Sequence, residues 1–202
     1  MTTMLRSLRT PLLAAAAAVS LSACIGLGGK TPPFLLTLDA DAAPPAGAAR
    51  TASDASTLTI LIPTAPQKLR TTRIPVQQDN SSVTYVKDAQ WVEAPQRLFQ
   101  RLVSETISAR TTRVVLDEGQ YLTAPGEQLA GQLMEFGVDA RSNEAVVVYQ
   151  AMLVSAGGKS VTQRRFEVRE PIGGAVEAKP VGEALARAAN KVAIEVTAWL
   201  GG

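Results

Sequence analysis

EAVVVYQAMLVSAGGKSVTQRRFEVRE, running from Glu144 to Glu170, is the stretch that decides the fold. Two runs of strand-forming residues, Glu144–Ser155 and Ser160–Glu170, flank Ala156-Gly157-Gly158-Lys159. The paired glycines there supply the backbone freedom of a tight turn, so the stretch predicts a β-hairpin. Ala145-Val-Val-Val-Tyr149 is apolar on both alternating faces, which suits a central strand covered on both sides. Val161–Arg169 is far more polar, so one face of the returning strand is expected to meet water.

Similar signals extend outward from this hairpin. Thr57–Pro63, Thr112–Asp117 and Gln128–Ala140 read as strands, the last with Met134, Phe136 and Val138 on one face. Arg73–Gln78 and Ser82–Lys87 flank the turn residues Asp79-Asn80-Ser81 and predict a second hairpin, with Pro75 marking an edge or a bulge. Ala124-Pro125-Gly126 reads as a turn. Pro95–Ala109 predicts a helix that opens on proline and gathers Leu98, Phe99, Leu102, Val103 and Thr106 on one face. Pro180–Leu200 predicts a closing helix, with Val181, Ala184, Leu185, Ala188, Val192, Val196 and Trp199 on one face. Its opposite face carries Glu183, Arg187, Asn190 and Lys191, interrupted by Ile194. The expectation is an α+β fold: a two-layer sandwich of a mostly antiparallel sheet with two amphipathic helices on one face.

The N-terminus reads differently. Arg6 and Arg9 precede an apolar, Ala-rich run, and Leu21-Ser22-Ala23-Cys24 closes it. A basic start, a short apolar stretch and small residues before a cut make a secretory signal. Its ending resembles a bacterial lipobox, in which cleavage falls before the cysteine and the cysteine becomes acylated. The expected organisation is a signal peptide over 1–23 and an anchored N-terminus with a flexible linker over 24–56, including a short strand near 34–38. A folded domain follows over 57–202. Ile25 replaces the Asp that marks inner-membrane retention in that class, so the outer membrane, facing the periplasm, is the expected address. Loss of 1–23 removes two Arg and no acid, leaving 18 basic and 18 acidic residues. A neutral mature chain gives no electrostatic ground for binding nucleic acid.

Residue types also exclude chemistry. The chain has no His and one Cys, so Ser-His-Asp catalysis, His-based zinc sites and intrachain disulfides are out. Gly158-Lys159-Ser160 looks like the end of a phosphate-binding loop, but Leu153 stands where that loop needs Gly, and a strand follows instead of a helix. No G-x-S-x-G or S-x-x-K motif occurs. Arg164-Arg165 reads as part of a solvated strand face. No catalytic residue, metal or cofactor is expected. Tyr85 and Trp91 stand out in a chain that is 4% aromatic, either packing at the sheet end or meeting a partner.

Taken in order, several weak motifs carry a resemblance. They are the lipobox, Phe34-Leu-Leu-Thr-Leu38, Leu58-Thr-Ile60, Arg73-Ile-Pro-Val76, Tyr85, Trp91, and Pro95 with Leu98 and Leu102. Gly131-Gln-Leu-Met-Glu-Phe136, Arg164-Arg-Phe166 and the closing helix complete the series. Over about residues 33–200 the chain resembles the ABC-type transport auxiliary lipoprotein family (PqiC-like). The resemblance implies a non-enzymatic lipoprotein on the inner leaflet of the outer membrane. It also implies that the protein docks a periplasmic MCE-domain protein, whose transporter moves lipids or other hydrophobic molecules. It supplies no catalytic residue. Cys24 is the implied lipid attachment site, and Arg73, Tyr85 and Trp91 fall in the matching stretch as interface candidates. Ile194 and the two-sided apolar strand also point to a homo-oligomer. Two other readings stay open. One is an accessory outer-membrane lipoprotein for lipopolysaccharide assembly or cell-wall synthase regulation. The other is a periplasmic hydrolase, against which the absence of His argues.

Overall fold

The computed structural model describes residues 32–44, 46–47, 49–51, 57–119 and 126–201. Cys24, the segment 1–23, much of the expected linker and most of the Ala124–Gly126 turn lie outside the described residues. The strands are β1 (Thr57–Ile60), β2 (Arg73–Gln77), β3 (Val83–Gln90), β4 (Val114–Asp117), β5 (Glu127–Asp139), β6 (Glu144–Val154) and β7 (Val161–Pro171). The helices are α1 (Pro95–Arg110), between β3 and β4, and α2 (Ala178–Leu200), after β7.

The predicted hairpin forms as β6 and β7, antiparallel from Glu144 opposite Pro171 to Val154 opposite Val161. Gly157 and Gly158 turn it with φ of 77° and 72°, a region that costs a side-chain-bearing residue about 1–2 kcal/mol. β6 lies between β5 and β7, and Ala145–Tyr149 is buried throughout, as a central strand must be. β7 alternates buried Phe166, Val168 and Glu170 with exposed neighbours.

The sheet is mixed, and the expectation of a mostly antiparallel one is corrected. β1 runs parallel to β4 and β5, and β2 runs parallel to β5. The cause is the path of the chain. β6 occupies one edge of β5 from Gln128 to Asp139. Residues 57–77 make a single pass along the other edge: β1 bonds the start of β5, Thr64 bridges Gln132, and β2 bonds Val138 and Asp139. One pass in one direction is parallel at both ends. β4 returns beside β1 only after α1, as a parallel crossover requires.

β5 also departs from simple alternation. Its register with β6 shifts between Leu133 and Glu135, leaving Met134 as an inserted residue. Leu129 and Leu133 face the core before the bulge, and Phe136 and Val138 after it. Met134 is therefore not on the core face with Phe136, as alternation alone predicts. Its sulfur accepts a hydrogen bond from Arg165 Nη1 at 3.3 Å.

α2 packs on β6 and β7, and α1 packs on α2 and β4. Phe99 of α1 meets Tyr149 edge-on at 5.1 Å, while Trp199 of α2 meets Phe166 at 5.8 Å. Tyr149 and Phe166 are register partners on β6 and β7.

α2 buries a second face beyond its predicted stripe: Gly182, Ala189, Asn190, Ala193 and Thr197 are also buried. The N-terminal segment covers part of it, at Gly182 and Asn190. Leu36 bridges Trp91 in parallel, Leu38 is 2% exposed in the core, and Leu36 lies against Gly182. Asn190, expected on the polar face, accepts a hydrogen bond from Asp41 N at 2.8 Å and donates to Asp39 O at 3.0 Å. Pro32–Gly202 forms one compact unit.

Candidate functional site

Arg73 and Tyr85 come together through an irregular hairpin. Arg73 pairs with Gln90 and Pro75 with Tyr85, so five steps along β3 match two along β2. Pro75 has no N–H to offer the ladder, and Asp88 adopts a φ of 51°, which a short polar side chain tolerates. The bulge places the Arg73 guanidinium over the Tyr85 ring, 4.0 Å from its centroid. Arg73 is exposed and Tyr85 half-buried, so this flat cationic stack faces outward. At such a site it is worth about 0.5–1 kcal/mol to the fold, and both groups remain available to a partner.

Trp91 is not part of that exposed surface. It is 1% exposed and meets Phe136 edge-on at 5.6 Å. Its backbone N–H donates to Thr72 O at 2.8 Å, one residue before Arg73. Trp91 thus packs at the sheet end and braces the strand that carries Arg73.

A second polar surface lies near the end of β5 and was not foreseen. Arg169 reaches Asp139, Glu144 and Glu167, Arg141 also holds Asp139, and Arg165 holds Glu167. Arg141 further donates to Asn80 Oδ1 at 3.1 Å. Asp139, Arg141, Arg169 and Asn80 edge a groove of about 450 Å³ also lined by Pro75, Gly137 and Val146, with Lys68 paired to Glu135 on its wall. Gly137 is required there, because a Cβ would stand 2.4 Å from Pro75 O.

Electrostatics follow the contacts. Hydrogen bonds from Arg141 hold Asp139 down at about 2, against its burial, and Arg169 adds to the effect. Arg165 lowers Glu167, and Lys191 with Arg187 lowers Glu170 on the helix side of β7. Burial pushes Tyr149 well above its ordinary value, and its hydroxyl donates to Ala130 O at 2.8 Å. Asp79 is lowered by Ser82 and Ser81, whose hydroxyls and N–H groups it accepts in the β2–β3 turn. These carboxylates are held charged by their partners. Among the described residues no group of three or more His, Cys, Asp or Glu side chains is placed to hold a metal.

The family model described as "ABC-type transport auxiliary lipoprotein component" matches residues 36–196, most of the chain. The chain belongs to this family. As an ABC-type transport auxiliary lipoprotein component it is tied to transport systems, and a membrane-associated location is consistent with that membership. Among the described residues no helix of this auxiliary lipoprotein is long and apolar enough to cross a membrane. The matched span begins at Leu36, the residue that bridges Trp91, and ends at Val196 in α2.

Among solved structures, protein XCC0632 from Xanthomonas campestris is similar over 82% of this chain and 92% of its own, with 18% identity and a TM-score of 0.66. A crystal structure of an uncharacterized protein is similar over 83% of this chain and 96% of its own, with 11% identity and a TM-score of 0.65. At such identities the likeness shows a shared fold. No curated protein matches the chain.

Proposed function

We propose that this auxiliary lipoprotein loses residues 1–23, is acylated on Cys24 and sits on the periplasmic face of the outer membrane. It serves there, without catalysis of its own, as the docking component of an MCE-type ABC transport system that moves lipids or other hydrophobic molecules across the periplasm. The observation that carries this proposal is the family match over 36–196. The Leu21-Ser22-Ala23-Cys24 sequence and the Ile at position 25 support the anchor and its address.

Arg73 and Tyr85 are the proposed contact residues, with Trp91 holding their strand from beneath. An exposed Arg stacked on Tyr suits such a contact, since these residue types dominate binding hot spots. Both helices are taken to cover one face of the sheet, because Tyr149 and Phe166 are register partners and each meets one helix. The ion-paired face around Asp139 and Arg169 would then lie on the other side. A homo-oligomer is compatible with this arrangement.

The test is co-purification from solubilised membranes with the MCE-domain protein of the same cell. Arg73→Glu with Tyr85→Ala is expected to cut recovery about tenfold or more, the effect of losing one hot spot. Undiminished recovery by the double variant would move the docking site elsewhere. No co-purification by the native chain, with a deletion that leaves detergent sensitivity unchanged, would contradict the transport role.

A further inference from the structure

Five large apolar side chains are exposed among the described residues, and three of them gather where the chain enters the folded unit. Phe34, Leu35 and Val92 are 46%, 51% and 47% exposed; the other two, Val83 and Val161, open β3 and β7. Backbone hydrogen bonds fix the bridge at which the cluster lies. Leu36 N donates to Gln90 O at 2.8 Å, and Val92 N donates to Leu36 O at 2.9 Å. Leu36 and Trp91 are bridge partners that point inward, so their neighbours Leu35 and Val92 point outward together by strand alternation. Phe34 adjoins Leu35 in the chain.

We propose that Phe34, Leu35 and Val92 form a contact with the lipid bilayer surface, so that the domain rests on the membrane at this patch instead of hanging from its anchor. The proposal rests on acylation of Cys24 as read above. Nine residues separate Cys24 from Phe34, and ten peptide steps reach no more than about 35 Å even fully drawn out. Of the exposed large apolar side chains, Phe34 and Leu35 are the closest along the chain to Cys24, and Val92 stands at the Leu36–Trp91 bridge beside them. A short tether raises the effective concentration of whatever it holds to the millimolar range, so three apolar side chains suffice for a contact that would be negligible for a free domain. Burying them in the interface removes their apolar area from water, the same drive that seats lipid chains.

The test uses the full acylated chain in phosphatidylethanolamine–phosphatidylglycerol vesicles. A polarity-sensitive dye is attached at Leu35→Cys, Val92→Cys or, as reference, Lys159→Cys in the β6–β7 turn; acylation leaves Cys24 no thiol to label. Flotation and intact mass report anchoring separately. Blue-shifted emission at 35 and 92 relative to 159, with quenching by doxyl-labelled lipid, is expected. An anchored chain whose labels at 35 and 92 are as wet as at 159 would overturn the patch contact and leave the anchor standing. Labels shielded from water but not quenched by the lipid would assign the patch to protein, including a second copy, and would also overturn it. A chain that neither floats nor carries acyl mass would overturn the anchor and the proposal with it.

Discussion

Asn190 holds another segment with one side chain. It accepts from Asp41 N, donates to Asp39 O, and donates again to Ala186 O one turn back in α2. It is 4% exposed, so these bonds satisfy an amide that burial would otherwise penalise. Asn190→Ala is expected to destabilise the fold by about 1–2 kcal/mol, read as a lower urea midpoint, and to speed proteolysis within residues 36–41. An unchanged midpoint and cleavage rate would contradict the clamp. Arg73 and Tyr85 act at the same scale but outward, where their stack contributes little to folding and is free for recognition.

At the scale of elements, β5 organises the sheet, since β6, β1 and β2 all bond to it. Gly137 lets β2 close against its end, with a virtual Cβ 2.4 Å from Pro75 O and 2.8 Å from Pro75 Cγ. Gly137→Ala should push β2 away and cost at least about 2 kcal/mol, with faster amide exchange at Val76 and Gln77. Exchange confined to wild-type rates would show that β2 tolerates the shift. The β6–β7 hairpin was legible in sequence because alternation and two glycines state it locally. The helices were legible from their stripes, and Pro75 announced its bulge. Parallel pairing was not legible, because which distant strands meet is set by the chain path and not by local pattern. Nor was the Met134 bulge, which swaps faces with no Gly or Pro at the shifted residues themselves, the nearest glycines being Gly131 and Gly137. The second buried face of α2 did leave a trace: the small residues Gly182, Ala189 and Ala193 recur at helical spacing, and Leu36 approaches closely at Gly182. At the candidate site, Tyr85 and Arg73 were found by residue type. The Asp139–Arg169 network was missed because its members come from separate segments.

For the whole molecule, charge partnering sets the response to acid. Asp139 titrates at about 2 when folded, below the ordinary carboxylate near 3.9, and Glu170 is also lowered, by Lys191 first. Depressed folded values stabilise fully above the unfolded values, and that stabilisation is lost as pH falls through the folded ones. The melting temperature is therefore expected to hold from about pH 7 to about pH 5 and to drop between about pH 4 and about pH 2. Asp139→Asn should be less stable than the native chain at neutral pH and should converge with it near pH 2. Parallel curves for the two would contradict the role of Asp139. The proposed anchoring of this domain at a membrane through Cys24 is tested most directly by the intact mass of the membrane-extracted protein. The predicted result is a chain beginning at Cys24 with a diacylglyceryl group and an N-acyl chain. A chain that retains residues 1–23 with a free Cys24 thiol would contradict it.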